Sequence, residues 1–403
     1  MKLITNLFNK YSKSKEKLKR QSNLQKLASL PYSSFVINEE NQKKSGVVLN
    51  NKNACPGYNL FLSRYSRKIS LINMDGEIAY KWKPALSLRR FFPPLPTIWE
   101  YRKIDREGNL LIIAVGKKLV KLDKNSNIIW KIKGGFHHEI ELLDNGSMFV
   151  LERKKEIVKF ENEKKSIWND YLVLISNEGK IIKKVSVYKL FNKELTKKSF
   201  ERAFSIYKKR WQDRTRLKLG IKTFLDPFHT NTIKIIKKDI EGIAKKGDIL
   251  VCFCYINLIA IINFEKEKVL WTWEEGKKIL DGPHYPIQLE NGNILIYDNG
   301  RDRNWSKILE LNIPSNKIVW QYGSSDKNNE EYFSSIWGGT CQELENGNIL
   351  ITDSDHGHAF EITKEKKKVW EFFNFEFNIL KKRKTIYRLE RYPLSTLNLI
   401  KTS

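Results

Sequence analysis

The stretch Leu289–Gly323, LENGNILIYDNGRDRNWSKILELNIPSNKIVWQYG, decides the fold. One apolar run enters an Asn-Gly pair and a second leaves it. Two more short runs follow, the last ending at an aromatic residue, Trp320. Asn-Gly between apolar runs is the strongest short-range hairpin signal, because the turn needs a left-handed residue that glycine supplies without steric cost. The same shape returns in Asp105–Gly134, Leu142–Lys154 and Leu344–Phe372. The closing aromatics are Trp82, Trp130, Trp271, Trp320 and Trp370, and neighbouring ones stand 48, 49 and 50 residues apart. The longer gap from Trp130 to Trp271 holds two units and an insertion, with YLVLISNEGKIIKKVSV ending the extra unit. Six units of four short strands at this period imply an all-β chain, a six-bladed β-propeller.

The first unit, PGYNLFLSRYSRKISLINMDGEIAYKW, offers only three strands, so ring closure is expected to borrow one from the far end of the chain. The insertion at about 190–219 is expected to be helical. Phe200, Ala203, Phe204, Tyr207 and Trp211 recur at i, i+3, i+4, i+7 and i+11, an apolar stripe suited to a lid or flank on one face of the ring. The domain division is a basic, partly helical segment over 1–50 and the propeller over 51–403.

The 403 residues carry a formal charge of +27, unevenly placed. Residues 1–26 hold 8 basic against 1 acidic side chain, residues 181–222 hold 14 against 3, and residues 381–403 hold 7 against 1. No aromatic RNA-binding pattern, Cys/His finger or basic heptad accompanies this charge, so no nucleic-acid partner is expected. The alternatives are solvated basic faces and the steering of small anions. No apolar stretch approaches the 18 residues of a membrane span, and the Lys-rich start lacks the apolar core of a secretory signal. The expectation is a soluble cytoplasmic monomer. Cys55, Cys252, Cys254 and Cys341 fit neither a disulfide framework nor a zinc knuckle and are read as small apolar fillers.

There are 6 histidines. His284 precedes Gly292 by eight residues and His138 precedes Gly146 by eight, equivalent places in two units. His229 opens the first strand of the unit between them, while His356 and His358 follow the second strand of the last. In a propeller the start of strand one and the end of strand two share a face, so all six fall at one rim. His137, next to His138, is expected to point to the opposite side. Three imidazoles at a channel mouth suit either a metal or group transfer from an anion. No Asp or Glu occupies the matching position of the three units and the surroundings are basic, which weighs against metal. No cofactor is called for.

GFHHEIELLDNGSMFVLER, DPFHTNTIKI, GDILVCFCYINLIAIINFEKEKVLWTW and DGPHYPIQLENGNILIYDNG resemble successive blades of the arylsulfotransferase family. SKILELNIPSNKIVWQY, GGTCQELENGNILIT, FEITKEKKKVWEF, the opening LINMDGEIAYKW and the closing IYRLERYP extend the likeness over about residues 55–395. The resemblance implies a six-bladed enzyme, independent of the nucleotide sulfate donor, that moves a sulfuryl group from an aryl sulfate to a phenol through a sulfated histidine. By position it makes His284 the nucleophile. It makes His229 and Asn231 the pair that contacts sulfuryl oxygens and handles the phenol proton, with His138 assisting. It also exposes a departure: Cys252-Phe253-Cys254 stands where the family usually has Ser-x-Arg, the arginine clamping the sulfuryl oxygens. Arg301 and Arg303 are the candidate replacements, and His358 joins them as a substrate-binding candidate. A propeller that binds without turnover is the competing reading, and a three-histidine zinc hydrolase is a third.

Overall fold

The computed structural model describes residues 44–63, 69–83, 99–209, 223–378 and 381–402. Residues 1–43 of the basic N-terminal segment and 210–222 of the insertion, with Trp211, lie outside them. The strands run β1 (Gly46–Asn50), β2 (Tyr58–Ser63), β3 (Ile69–Ile72), β4 (Ile78–Trp82), β5 (Trp99–Ile104), β6 (Leu110–Ala114), β7 (Lys118–Leu122), β8 (Ile128–Lys133), β9 (Phe136–Leu142), β10 (Met148–Phe160), β11 (Glu163–Ile175) and β12 (Ile181–Ser186). Helices α1 (Val187–Phe191) and α2 (Lys197–Lys209) follow. Then come β13 (Thr230–Ile235), β14 (Ile249–Phe253), β15 (Leu258–Asn263), β16 (Lys268–Thr272), β17 (Pro283–Gln288), β18 (Ile294–Asp298), β19 (Lys307–Asn312), β20 (Lys317–Tyr322), β21 (Thr340–Glu343), β22 (Ile349–Asp353), β23 (His358–Ile362), β24 (Lys368–Phe373) and β25 (Ile386–Tyr392).

They form six antiparallel sheets, each a blade. The innermost strands β5, β9, β13, β17, β21 and β25 touch in that order around the channel. Blade one reads β25-β2-β3-β4, so the missing strand is borrowed from the C-terminal end, as its three-strand sequence requires. The exchange is double: β1 adds a fifth, outer strand to β24 of blade six, so residues 46–50, assigned by sequence to the N-terminal segment, belong to the ring.

Second strands are apolar runs where they cross the blade, as in LLIIA of β6, ILVCF of β14 and, but for its closing Asp298, ILIYD of β18, and every residue in these three is buried. Both faces of such a strand meet a neighbouring blade, so the usual alternation of apolar and polar residues has no reason to appear. Leu60, Leu62, Ile69 and Leu71 of blade one pack on Leu110, Ile112, Val120 and Leu122 of blade two in this way. The Asn-Gly turns close as read: Gly146, Gly292 and Gly347 take φ +81°, +88° and +81°. The closing tryptophans also join blades. Trp130, Trp320 and Trp370 each donate an indole N–H to the turn between the third and fourth strands of the next blade, at Asn177 (2.8 Å), Lys364 (3.0 Å) and Met74 (2.8 Å). Tyr80 does this for blade one, its hydroxyl 2.5 Å from Lys124 O.

The insertion is helical, but it does not stand alone. Strands β10 and β11 are 13 residues each, and the outer half of their hairpin runs past the sheet. Phe160 near its tip packs on Phe200 of α2, ring centroids 4.6 Å apart, and Tyr188 of α1 hydrogen-bonds the Lys159 carbonyl. Phe200 and Ala203 are buried, Phe204 and Tyr207 partly so.

The middle of the channel is filled by charge. Arg388 of β25 reaches across to Glu139 of β9 with both terminal nitrogens, at 2.8 and 3.1 Å. Lys234 of β13 lies 3.5 Å from Glu139 and 2.8 Å from Glu141, and Lys103 of β5 lies 3.3 Å from Glu390. Tyr285 of β17 donates to Glu390 at 3.1 Å, and the Arg388 guanidinium sits 4.4 Å over its ring. Removing one partner strands the other's charge in the interior. Arg388→Ala is therefore expected to cost about 3–5 kcal/mol of folding free energy. The double change Arg388→Met, Glu139→Met is expected to recover much of that loss. Denaturant unfolding of the two variants beside the parent checks both.

Candidate functional site

Three innermost strands carry a bulge where the histidines lie. The ladder between β9 and β10 slips after His137, that between β13 and β14 slips at Asn231, and that between β17 and β18 slips after His284. His138, His229 and Tyr285 take φ of +56°, +50° and +49°, the left-handed region that non-glycine residues seldom occupy. A bulge breaks strict alternation and re-aims the side chains on either side of it. His137 was expected to face away from His138. Instead their Nδ1 atoms stand 2.7 Å apart, because His138 is the bulged residue.

The structure brings His138, His229 and His284 together. The His138 and His229 rings meet edge to face at 4.9 Å, and the charges of His138, His229 and His284 act on one another. Each has a partner on Nδ1. His284 Nδ1 lies 2.7 Å from Asn299 Oδ1 and 3.1 Å from Gly282 O. The Asn299 amide is oriented in turn, its Nδ2 donating to Ser335 O (2.5 Å) and Gly338 O (2.9 Å). Oδ1 is thus the acceptor end, the Nδ1 proton stays on His284, and Nε2 keeps the lone pair. His229 Nδ1 lies 2.7 Å from Asp226 Oδ2, and its backbone N–H donates to the other oxygen of the same carboxylate at 2.9 Å. The His229 ring stacks on Tyr255 at 4.5 Å, nearly parallel. Behind His138, His137 Nε2 stands 3.1 Å from Asp170 Oδ1. Arg153 spans the two carboxylates, 3.5 Å from Asp170 and 3.2 Å from Asp226.

The carboxylates beside the histidines come from other places, from β11 and from the segment before β13. Asp226 is legible as the residue three before His229 in DPFHTN, and Asn299 as the last polar residue before the Gly300 turn. Asp170 has no local signal, because it arrives on the third strand of the same blade, more than thirty residues along the chain from His137.

The other candidates are placed as follows. Asn231 Nδ2 donates to Pro283 O at 2.8 Å, bracing the backbone just before His284. Arg301 packs its side chain against Gly282, where a Cβ would come within 2.7 Å of it, and its guanidinium lies 5.1 Å from the rings of Tyr255 and Trp337. Its charge reaches both His284 and His229. Arg303 is held elsewhere, at 2.8 Å from Asp298 Oδ2 and 2.9 Å from both Asp298 O and Trp305 O. His358 opens a third strand, bonded to Glu371 at 2.9 Å and stacked on Phe373 at 4.3 Å, with no contact to the three histidines among the described residues. Cys252 donates to Pro283 O at 3.3 Å, and all four thiols are free and buried. Arg202 of α2 reaches the same rim, 3.4 Å from Tyr255 O. Among the described residues no group of three or more His, Cys, Asp or Glu can hold a metal ion, and no helix is long and apolar enough to cross a membrane.

A family model described as arylsulfotransferase (ASST) matches residues 107–376, well over half of the chain. Curated protein sequences yield no match. Among solved structures, a protein of unknown function from Bacteroides caccae is 15% identical with TM-score 0.50, covering 83% of this chain and 98% of its own. A streptogramin B lyase is 12% identical with TM-score 0.45, covering 89% and 97%. A Staphylococcus aureus virginiamycin B lyase with quinupristin is 11% identical with TM-score 0.43, covering 87% and 88%. These likenesses concern the fold alone.

Burial, then the nearby Arg301 charge, lowers the His284 pKa to about 3. Burial lowers His137, His138 and His229 as well, and for His229 it outweighs the raising effect of Asp226. The unfolded chain binds protons near pH 6.5 that these folded imidazoles refuse. Their neutral burial thus contributes stability above pH 6.5, and it is lost as pH falls, for His284 down to about 3. At pH 5 the loss is about 2 kcal/mol for a histidine that stays wholly neutral in the fold. Thermal melting at pH 7 and pH 5 should show this drop, and His284→Gln should make it shallower.

Proposed function

We propose that this chain, which belongs to the arylsulfotransferase (ASST) family, moves a sulfuryl group from an aryl sulfate to a phenol through a sulfohistidine at His284. The observation that carries the reading is the clamp on His284 Nδ1 by Asn299 and Gly282. It presents a neutral imidazole with its Nε2 lone pair ready, and burial keeps it neutral throughout the physiological range.

In the first half-reaction His284 Nε2 attacks sulfur. The N–S bond forms as the aryl O–S bond breaks, and its electron pair leaves on the phenolate. The Nδ1 proton, bonded to Asn299, stabilises the positive charge that develops on the ring. In the second half the acceptor phenol oxygen attacks the same sulfur while His229 Nε2 takes its proton. The N–S pair returns to His284. The proton held on His229 passes to the phenolate that leaves in the next cycle. Asp226 suits His229 to this work by holding the tautomer and steadying the imidazolium, as a carboxylate does behind the histidine of a hydrolase triad. Arg301 supplies positive charge to the sulfuryl oxygens in place of the arginine that the resemblance expects at Cys254. Asn231 and the His137–Asp170 pair hold the walls.

The buried thiol at Cys254 favours a second reading, a propeller that binds aryl sulfates without turnover. One experiment separates them. Incubation with 4-nitrophenyl sulfate and phenol is expected to release nitrophenol, and without acceptor a stopped reaction should leave one sulfuryl group on the peptide containing His284. His284→Ala should abolish both. Asp226→Asn should lower kcat by about 10⁴, the cost of a wrong tautomer in a comparable dyad. Arg301→Gln should lower it by about 10²–10³, the cost of one lost transition-state donor. Turnover surviving in His284→Ala would sink the nucleophile assignment, and no turnover in the parent with several donors would establish the binding reading.

A further inference from the structure

The hairpin of β10 and β11 leaves the ring on the histidine side. β10 passes the end of β9 at Glu152, opposite Phe136, and pairs with β11 alone from Arg153 to Phe160. Directly opposed residues of an antiparallel pair share a face, so the register sorts the side chains. Lys155 with Trp168, Ile157 with Ser166 and Lys159 with Lys164 stand on one face. Glu156 with Ile167, Val158 with Lys165 and Phe160 with Glu163 stand on the other. That second face is covered and neutralised. Val158 and Phe160 pack on the cluster that holds Phe200, Glu156 accepts from Asn169 and Tyr171, and Glu163 pairs with Lys165.

The first face is open, and its charges are all positive. Lys155, Lys159 and Lys164 are exposed, and none of them has an ion pair among the described residues. Lys159 and Lys164 stand directly opposite, where like charges destabilise a strand pair until an anion comes between them. Ile157, among the three lysines, is 56% exposed. At the base Leu225 bridges to Ile167 and sets Phe224 beside Trp168, ring centroids 6.2 Å apart. Lys155 Nζ lies 5.2 Å over both rings. This combination suits a lipid surface. Lysine stems lie along apolar matter while their ammonium groups reach headgroup phosphates, and tryptophan settles at headgroup level. Single-stranded nucleic acid is served less well, because Lys155 occupies the ring faces on which bases would stack.

We propose that this hairpin face is a docking surface for an anionic bilayer. Lys155, Lys159 and Lys164 take acidic headgroups, and Ile157 enters the boundary between headgroups and acyl chains. Each lysine contributes about fivefold in affinity for an acidic membrane, and that part weakens with salt. Ile157 adds an apolar hold that salt does not screen.

The test is co-sedimentation of the full chain with vesicles, which does not depend on turnover. Vesicles of phosphatidylcholine and phosphatidylserine in equal amounts should bind the protein, and phosphatidylcholine alone should not. Lys155→Gln, Lys159→Gln and Lys164→Gln combined should weaken binding about 100-fold. Because the whole chain carries +27, a second triple variant measures diffuse attraction. Lys266, Lys317 and Lys367 are exposed at the turns into the fourth strands of blades four, five and six, on the face away from the histidines. Changing these three to Gln should alter binding by less than about threefold, since charges beyond a Debye length from the lipid are screened. Ile157→Ser should weaken binding about fivefold, by a similar factor at low and high salt. Equal losses in the two triple variants would overturn the proposal, as would a parent that binds both vesicles alike or neither. Tighter binding of a mixed-sequence single-stranded RNA through the same three lysines would assign the face to nucleic acid and overturn it too.

Discussion

The two-pronged contact between Arg388 and Glu139 is the constraint on which the ring rests. β25 has to travel from the far end of the chain to complete blade one, and backbone pairing with β2 alone would leave it an edge added late. Arg388 carries that strand's hold across the channel to blade three. Its neighbours Glu390 and Arg391 bind Lys103 on blade two and Glu361 on blade six. Buried ion pairs of this kind gain little net energy over apolar packing, since removing charges from water is expensive. What they supply is selectivity: a strand slipped by one residue would turn its charges to the wrong face and bury them unpaired. Glu139 also adjoins His138, so the contact that closes the ring fixes the floor under the site.

Above that floor the chemistry depends on backbone irregularity. A regular strand would send His137 and His138 to opposite faces. The bulges turn these rings and their counterparts on β13 and β17 into one space, at an ordinary cost of about 1–3 kcal/mol for each left-handed residue. Arg153 and its two aspartates then decide how the imidazoles are protonated. Carboxylates back His137 and His229, whereas an amide backs His284. A carboxylate raises basicity and suits proton transfer. A neutral amide orients the ring without holding a counter-charge against it, which suits the sulfuryl carrier proposed for His284.

Much of this is legible in the sequence because it repeats. The Asn-Gly pairs at 145–146, 291–292 and 346–347 and the tryptophans near every fiftieth residue report local turn chemistry and a blade-to-blade hydrogen bond. The eight-residue lead to His138 and His284 reports a shared place on the innermost strand. What repeats cannot report is contact between unlike places. Asp170 reaches His137 from the third strand of its blade, and Arg303 is taken up by Asp298 at the end of β18. His358 finds Glu371 thirteen residues on, across the β23–β24 pair. The direction of His137 was misread for a related reason: alternation is a rule for regular strands, and a bulge is a single-residue exception with no residue type of its own.

The double exchange at the seam bears on how the chain is made. During synthesis blade one emerges with β2 to β4 only, and the inner edge of β2 has no partner until residues 386–392 follow. Blade six can gain β1 as its outer strand only after β24 exists. Until then two unpaired edges, one holding the fully buried Leu60, Phe61 and Leu62, stand open in a half-built ring. Open apolar edges recruit strands from other chains. The ribosome therefore holds this protein in its most vulnerable form until β25 is made, and a chain stalled just short of β25 is a template for aggregation in place of a slightly shorter propeller.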